Sequence, residues 1–164
     1  MNRKILLFLL IFSFISVLKS SAQTEKIRFG MRYNIKNHTY EILDDVPNHK
    51  MGLAHGTGVA YVKTGSTANV NVYFIYDYIN GKGNFVENYV IQMSDSSKLS
   101  IKAEGFSFGD ESNPLFNATV TIVGGTGEYS GIKGKGKMSG DRKDILTENT
   151  TVNLNFDLEY TLGN

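Results

Sequence analysis

The chain contains no cysteine, and this absence excludes a disulfide framework, a thiolate metal site, a cysteine nucleophile and a lipid-modified N-terminal cysteine. A chain built this way relies on packing and ladder hydrogen bonds alone. No window shows a sustained three-to-four-residue apolar period, so no amphipathic helix is expected. The longest apolar run, Ile5 to Leu18 interrupted by Ser13 and Ser16, spans 14 residues, short of the roughly 20 a membrane-spanning helix needs. A surplus of one charge is missing as well: 17 basic residues stand against 16 acidic ones. No polyanion-binding surface follows, and no nucleic-acid partner is expected.

What is present begins with a leader. Arg3 and Lys4 precede the apolar run, and Ser20-Ser21-Ala22 closes it with the small residues a signal peptidase inspects. The expectation is cleavage before Gln23 and export to the periplasm or beyond. Removing Arg3, Lys4 and Lys19 leaves 14 basic against 16 acidic residues, a net charge of −2 over 142 residues. That length suits one domain, with residues 23–50 as its N-terminal strand and loop and 51–164 as the remainder. The Ala-Gln junction has a bacterial look, which sets aside the glycosylation patterns at Asn37, Asn117 and Asn149.

Strand-like alternation recurs along the mature part. Ile27, Phe29, Met31 and Tyr33 alternate with Arg28, Gly30 and Arg32; Val152, Leu154, Phe156, Leu158 and Tyr160 alternate with Asn153, Asn155, Asp157 and Glu159. Between these the pattern places strands over 55–63, 69–78, 84–93, 98–106, 115–123 and 130–139. They are separated by segments rich in Gly, Asn, Asp and Ser, with turns at 80–83, 94–97, 109–114, 124–127 and 140–144. Eight short strands with tight connections indicate an all-β antiparallel meander. Two strands carry small residues on one face, Gly56, Gly58 and Ala60 in one and Gly134 and Gly136 in the other. Glycine in a strand marks sharp coiling or a close approach, which favours closure into a single barrel over a flat sandwich. Lys133, Lys135 and Lys137 form the outward face of the later strand.

Several motifs dissolve on inspection. Gly125-Thr126-Gly127 lacks the strand-then-helix context of a dinucleotide loop. Gly131 to Met138 resembles a phosphate loop but has Met138 where a hydroxyl must hold magnesium. His38, His49 and His55 lie near Asp44 and Asp45 in a region that reads as loop; their spacing fits no ligand pattern, so they are read as surface histidines and no metal is expected. No Gly-x-Ser-x-Gly elbow occurs. The cluster Tyr73, Phe74, Tyr76, Asp77 and Tyr78 fits either wall packing or a ligand cavity whose tyrosines offer an apolar body and a hydroxyl. Tyr73, Tyr76 and Tyr78 are the candidate ligand-binding residues.

The stretch Val120 to Gly136, with Gly124-Gly125-Thr126-Gly127 followed by Tyr129 and a glycine-bearing strand, resembles the turn shared by allene oxide cyclase and dirigent barrels. Upstream, Tyr76-Asp77-Tyr78, Gly81-Lys82-Gly83, Tyr89 and the turn from Asp95 to Lys98 resemble bacterial members of that superfamily. The order of segments agrees from Gly56 to Tyr160, about two thirds of the chain. The resemblance implies an eight-stranded, calycin-like barrel with an internal cavity, no cofactor and, by analogy with plant members, a trimer. The plant cyclases close an epoxide without a cofactor, and dirigent proteins orient phenoxy radicals. The plant cyclase pocket includes a cysteine that this chain lacks, so no catalytic role is carried over.

Three functions follow as expectations. One is a barrel that binds or orients a small apolar or phenolic molecule. Another is a cofactor-free isomerase or cyclase, for which Asp77, Glu87 and Glu104 are the carboxylates in or beside strands. The third is a small outer-membrane barrel, which the lysine row would interrupt. Assembly is a separate expectation: the strand over 69–78 is apolar on both faces, so a second subunit or the segment from Gln23 to Lys50 should cover its outer side.

Overall fold

A strand with one apolar face must turn that face from water, and eight such strands in sequence do so by closing on themselves. The computed structural model describes residues 23–62 and 65–163; the expected leader and Lys63 lie outside the described residues. The strands are β1 (Glu25–Leu43), β2 (His49–Tyr61), β3 (Thr67–Ile79), β4 (Lys82–Gln92), β5 (Lys98–Asp110), β6 (Asn113–Thr126), β7 (Lys133–Arg142) and β8 (Thr151–Thr161). Each pairs antiparallel with the next, and β8 returns to β1 with Phe29 opposite Phe156, which closes the barrel. Closure removes every sheet edge. The lysine row of β7 therefore has no edge to protect, and it stands opposite Glu159 and Asp157 of β8 instead.

The alternation sorts the walls. Val70, Val72, Phe74, Tyr76 and Tyr78 of β3 are buried inside, as are Phe29, Met31, Tyr33 and Ile35 of β1 and Val152, Leu154, Phe156 and Leu158 of β8. Eight strands enclose a space that side chains can fill, and the phenyl rings of Phe29 and Phe156 stack at 4.7 Å within it. Outside, cross-strand ion pairs join Lys26 to Glu159 at 2.9 Å and Arg28 to Asp157 at 2.8 Å, and Lys102 pairs with Glu104 along β5 at 2.7 Å. A lipid-embedded barrel carries an unbroken apolar band outside; here these ion pairs stand on the outer wall.

Three segments differ from the sequence expectation. The region read as loop between Tyr33 and Lys50 is mostly strand: β1 runs on to Leu43 and β2 starts at His49. The alternation breaks at Ile35 because the β1–β2 register shifts between Ile35 and Asn37. An extra residue there is a β-bulge, which resumes the inward series in the other phase. The strand expected from Ser130 begins at Lys133, since Gly127–Tyr129 form a short 3-10 turn and Gly131 adopts φ of 73°. The turn expected at 140–144 starts later, because β7 continues to Arg142.

Candidate functional site

The two ends of the barrel differ. At one end, Gly124, Gly125 and Thr126 finish β6 and Gly127 begins the 3-10 turn. Gly127 has φ of 61° and a Cβ there would stand 2.3 Å from Ser97 Oγ, while the Thr126 hydroxyl accepts the Lys98 N–H at 3.2 Å. Ile132, Leu99 and Ser97 are buried at this end, which is packed shut.

The other end holds a cavity of about 220 Å³. Its walls include Tyr76 and Tyr78 from β3, His38 and Tyr40 from β1, and Arg142 from β7, and the connection from β7 to β8 contributes Ile145 to Glu148. That connection is tied down on both sides. The Asn149 N–H donates to the Ile35 carbonyl at 2.8 Å, and the Asp144 N–H donates to the Ser112 carbonyl at 2.7 Å. His38 reaches the cavity because of the bulge: an unbroken strand with Ile35 inside would have turned Asn37 and Thr39 inward and His38 outward. Its Nε2 lies 2.7 Å from the Tyr76 hydroxyl. Burial, with the Arg142 charge second, lowers the His38 pKa, so the ring is neutral near pH 7. Burial also raises the Tyr76 hydroxyl to about 12.

Glu87 of β4 lies deeper. It is buried inside the barrel, with Oε1 accepting the Tyr33 hydroxyl at 3.0 Å and Oε2 accepting the Tyr89 hydroxyl. Burial lifts its pKa to about 7 even though both hydrogen bonds favour the carboxylate. Near neutrality this group can either give or take a proton.

The remaining sequence candidates point elsewhere. Asp77 is on the outer wall, its side chain 50% exposed, with Oδ1 2.6 Å from His49 Nε2. Glu104 is outside, paired with Lys102. Tyr73 is also outside, 55% exposed and stacked on His55 at 4.5 Å. The reason is parity: Tyr73 and Asp77 are odd-numbered in a strand whose even positions face in. His38 and His49 are not the surface-loop histidines expected, for both sit in strands and are hydrogen-bonded.

Arg142 was missed because a lone arginine beside a turn looks solvated. The signal that could have exposed His38 and Tyr40 is the alternation of His38, Tyr40 and Ile42 after the break. Among further concavities, those of about 1320 and 490 Å³ are open troughs on the outer wall, and one of about 440 Å³ lies beside the mouth between Asn80, Asp110 and Ile145.

No family model matches the chain, and no curated protein matches it in sequence. Its fold is matched by solved structures. The pterocarpan synthase dirigent protein GePTS1 superposes with a TM-score of 0.51 at 13% identity, over 88% of this chain and 90% of the other. The pterocarpan synthase dirigent protein PsPTS1 does so with a TM-score of 0.51 at 15% identity, over 87% and 97%. The chain therefore folds as a dirigent-like, closed eight-stranded antiparallel barrel. At this level of identity the likeness concerns the fold.

Proposed function

We propose that this is an exported barrel that holds and orients a small phenolic molecule in its open mouth. The observation that carries the reading is the contrast within the barrel: the interior is packed with side chains except at one end, where tyrosine hydroxyls, a histidine and an arginine surround about 220 Å³. Drug-sized ligands fill pockets of roughly 300–1,000 Å³, so a molecule with a single ring suits this one. Aromatic walls cover its faces, while the Tyr76 hydroxyl, held by His38 Nε2 at 2.7 Å, keeps one further hydrogen bond for the ligand's hydroxyl. The fold shared with the dirigent structures supports the reading.

Titration with 4-hydroxybenzyl alcohol, followed by two-dimensional NMR, tests it. Amide shifts should concentrate at His38, Tyr76, Tyr78 and Thr147. No perturbation at millimolar ligand would refute the proposal.

A second reading, a cofactor-free isomerase, is supported by Glu87. Of the three carboxylates named from sequence it is the one inside, and its pKa of about 7 suits acid–base work. It does not line the mouth, and its oxygens are held by Tyr33 and Tyr89. A reaction would therefore have to use Glu87 through a tyrosine hydroxyl.

A further inference from the structure

Arg142 is the least balanced buried charge among the described residues. It is 2% exposed, and its hydrogen bonds go to neutral acceptors: Nε donates to the Asp144 carbonyl at 2.9 Å and Nη2 to the Glu111 carbonyl at 3.1 Å. Nη1 donates to nothing among the described residues, and no described carboxylate comes within ion-pair distance of the guanidinium. A buried charge is normally paired, because leaving water costs several kcal/mol per ion. The carboxylates nearby are otherwise placed. Glu111 binds Lys50 at 3.2 Å, Glu148 is exposed on the β7–β8 connection, and Glu87 is held by its two tyrosines. Lys50 lines the same cavity but is already paired with Glu111, which leaves Arg142 as the unpaired cation of the mouth among the described residues.

We infer that the molecule held at the mouth carries a carboxylate, and that Arg142 receives it while the ring lies against Tyr76 and Tyr78. The guanidinium fork matches a carboxylate in shape and charge. Its two backbone bonds fix the orientation of the group before any ligand arrives, so little ordering remains to be done on binding. The ligand class becomes a monocyclic hydroxy-acid of the hydroxybenzoate kind. This inference rests on the phenolic-cavity reading above.

Calorimetric titration of the purified protein at pH 7 with 4-hydroxybenzoate and with 4-hydroxybenzamide, its neutral counterpart, separates the two claims. The carboxylate should bind about tenfold more tightly, the margin of a charge-assisted hydrogen bond. Arg142→Met should abolish the preference, lowering the affinity for the carboxylate by about tenfold more than that for the amide. In the unaltered protein the Arg142 Nε–H resonance should shift with the carboxylate and stay put with the amide, a readout that does not require the variant to fold. Equal affinity for the two ligands, a preference that survives Arg142→Met, or a silent Nε–H would overturn the inference while leaving the cavity reading standing. Binding of neither ligand would bring down both.

Discussion

Glu87 shows what a single residue in this barrel does. Burial raises its pKa from 4.5 to about 7, so the folded state holds a proton the unfolded chain releases at lower pH. Stability from this group is present below pH 4.5 and is lost as pH rises towards 7, a change of about 3 kcal/mol. Glu87→Gln should remove that slope: comparing urea midpoints of the two proteins at pH 5 and pH 8, the gap should widen in favour of the variant at pH 8. A constant gap would contradict the assignment. His49 follows the opposite chemistry on the outer wall. Asp45 lies 2.7 Å from its Nδ1 and Asp77 2.6 Å from its Nε2, so each ring nitrogen faces a carboxylate and the imidazolium satisfies both. The hydrogen bond to Asp77, then that to Asp45, raises its pKa. Its stabilisation is full below pH 6.5 and disappears as pH climbs through the folded value. An NMR titration should place the His49 midpoint above 6.5, and Asp77→Asn should bring it down; an unshifted midpoint would show that the bridge is not formed in solution.

Among the elements, β1 and β2 set the shape of the mouth together. The bulge after Ile35 turns His38 inward, and Gly52 on the neighbouring strand leaves the room that the Tyr76 ring occupies. A Cβ on Gly52 would come within 2.5 Å of the Tyr76 hydroxyl oxygen and 2.7 Å of the Thr39 carbonyl. The ring can swing aside but the carbonyl belongs to the sheet. Gly52→Ala should therefore cost about 1–3 kcal/mol and weaken 4-hydroxybenzyl alcohol binding by displacing Tyr76. Gly30→Ala is the control, since its nearest neighbour is Asn155 Oδ1 at 3.8 Å, and it should shift stability by no more than about 0.5 kcal/mol. Equal effects from the two changes would show that strand propensity matters here and not the space at the mouth.

For the whole molecule, the unfinished business is the outer wall. Met51, Leu53, Tyr73 and Ile75, on adjacent strands, are each about half exposed or more. The segment from Gln23 to Lys50 does not cover them, because it is itself wall: β1 and the start of β2. We propose that a second copy of the chain does, since interface centres favour aromatic and apolar groups and exclude charge. Light scattering at micromolar concentration should give a mass above one subunit, and Ile75→Lys should lower it to one. A one-subunit mass for the unaltered protein would refute this.

Much of the barrel was legible beforehand because a strand's period of two is written directly into residue order. Val152 to Leu158 show one apolar face in the sequence, whereas the turn expected at 124–127 comes later, because β6 runs on to Thr126 and the chain turns from Gly127. Glu87 appeared among three carboxylates, yet nothing in its neighbours distinguished it from Asp77 and Glu104. Which wall a side chain joins depends on the phase of its strand within the closed sheet. That phase is set by pairing across the barrel, not by the strand alone. The bulge in β1 changed the phase midway, moving His38 and Tyr40 to the mouth. Sequence alone thus determined an all-β chain whose alternating strands must close. Only the tertiary structure decided which end stays open, because that depends on bringing Arg142, His38 and Tyr76 together from strands far apart in the chain.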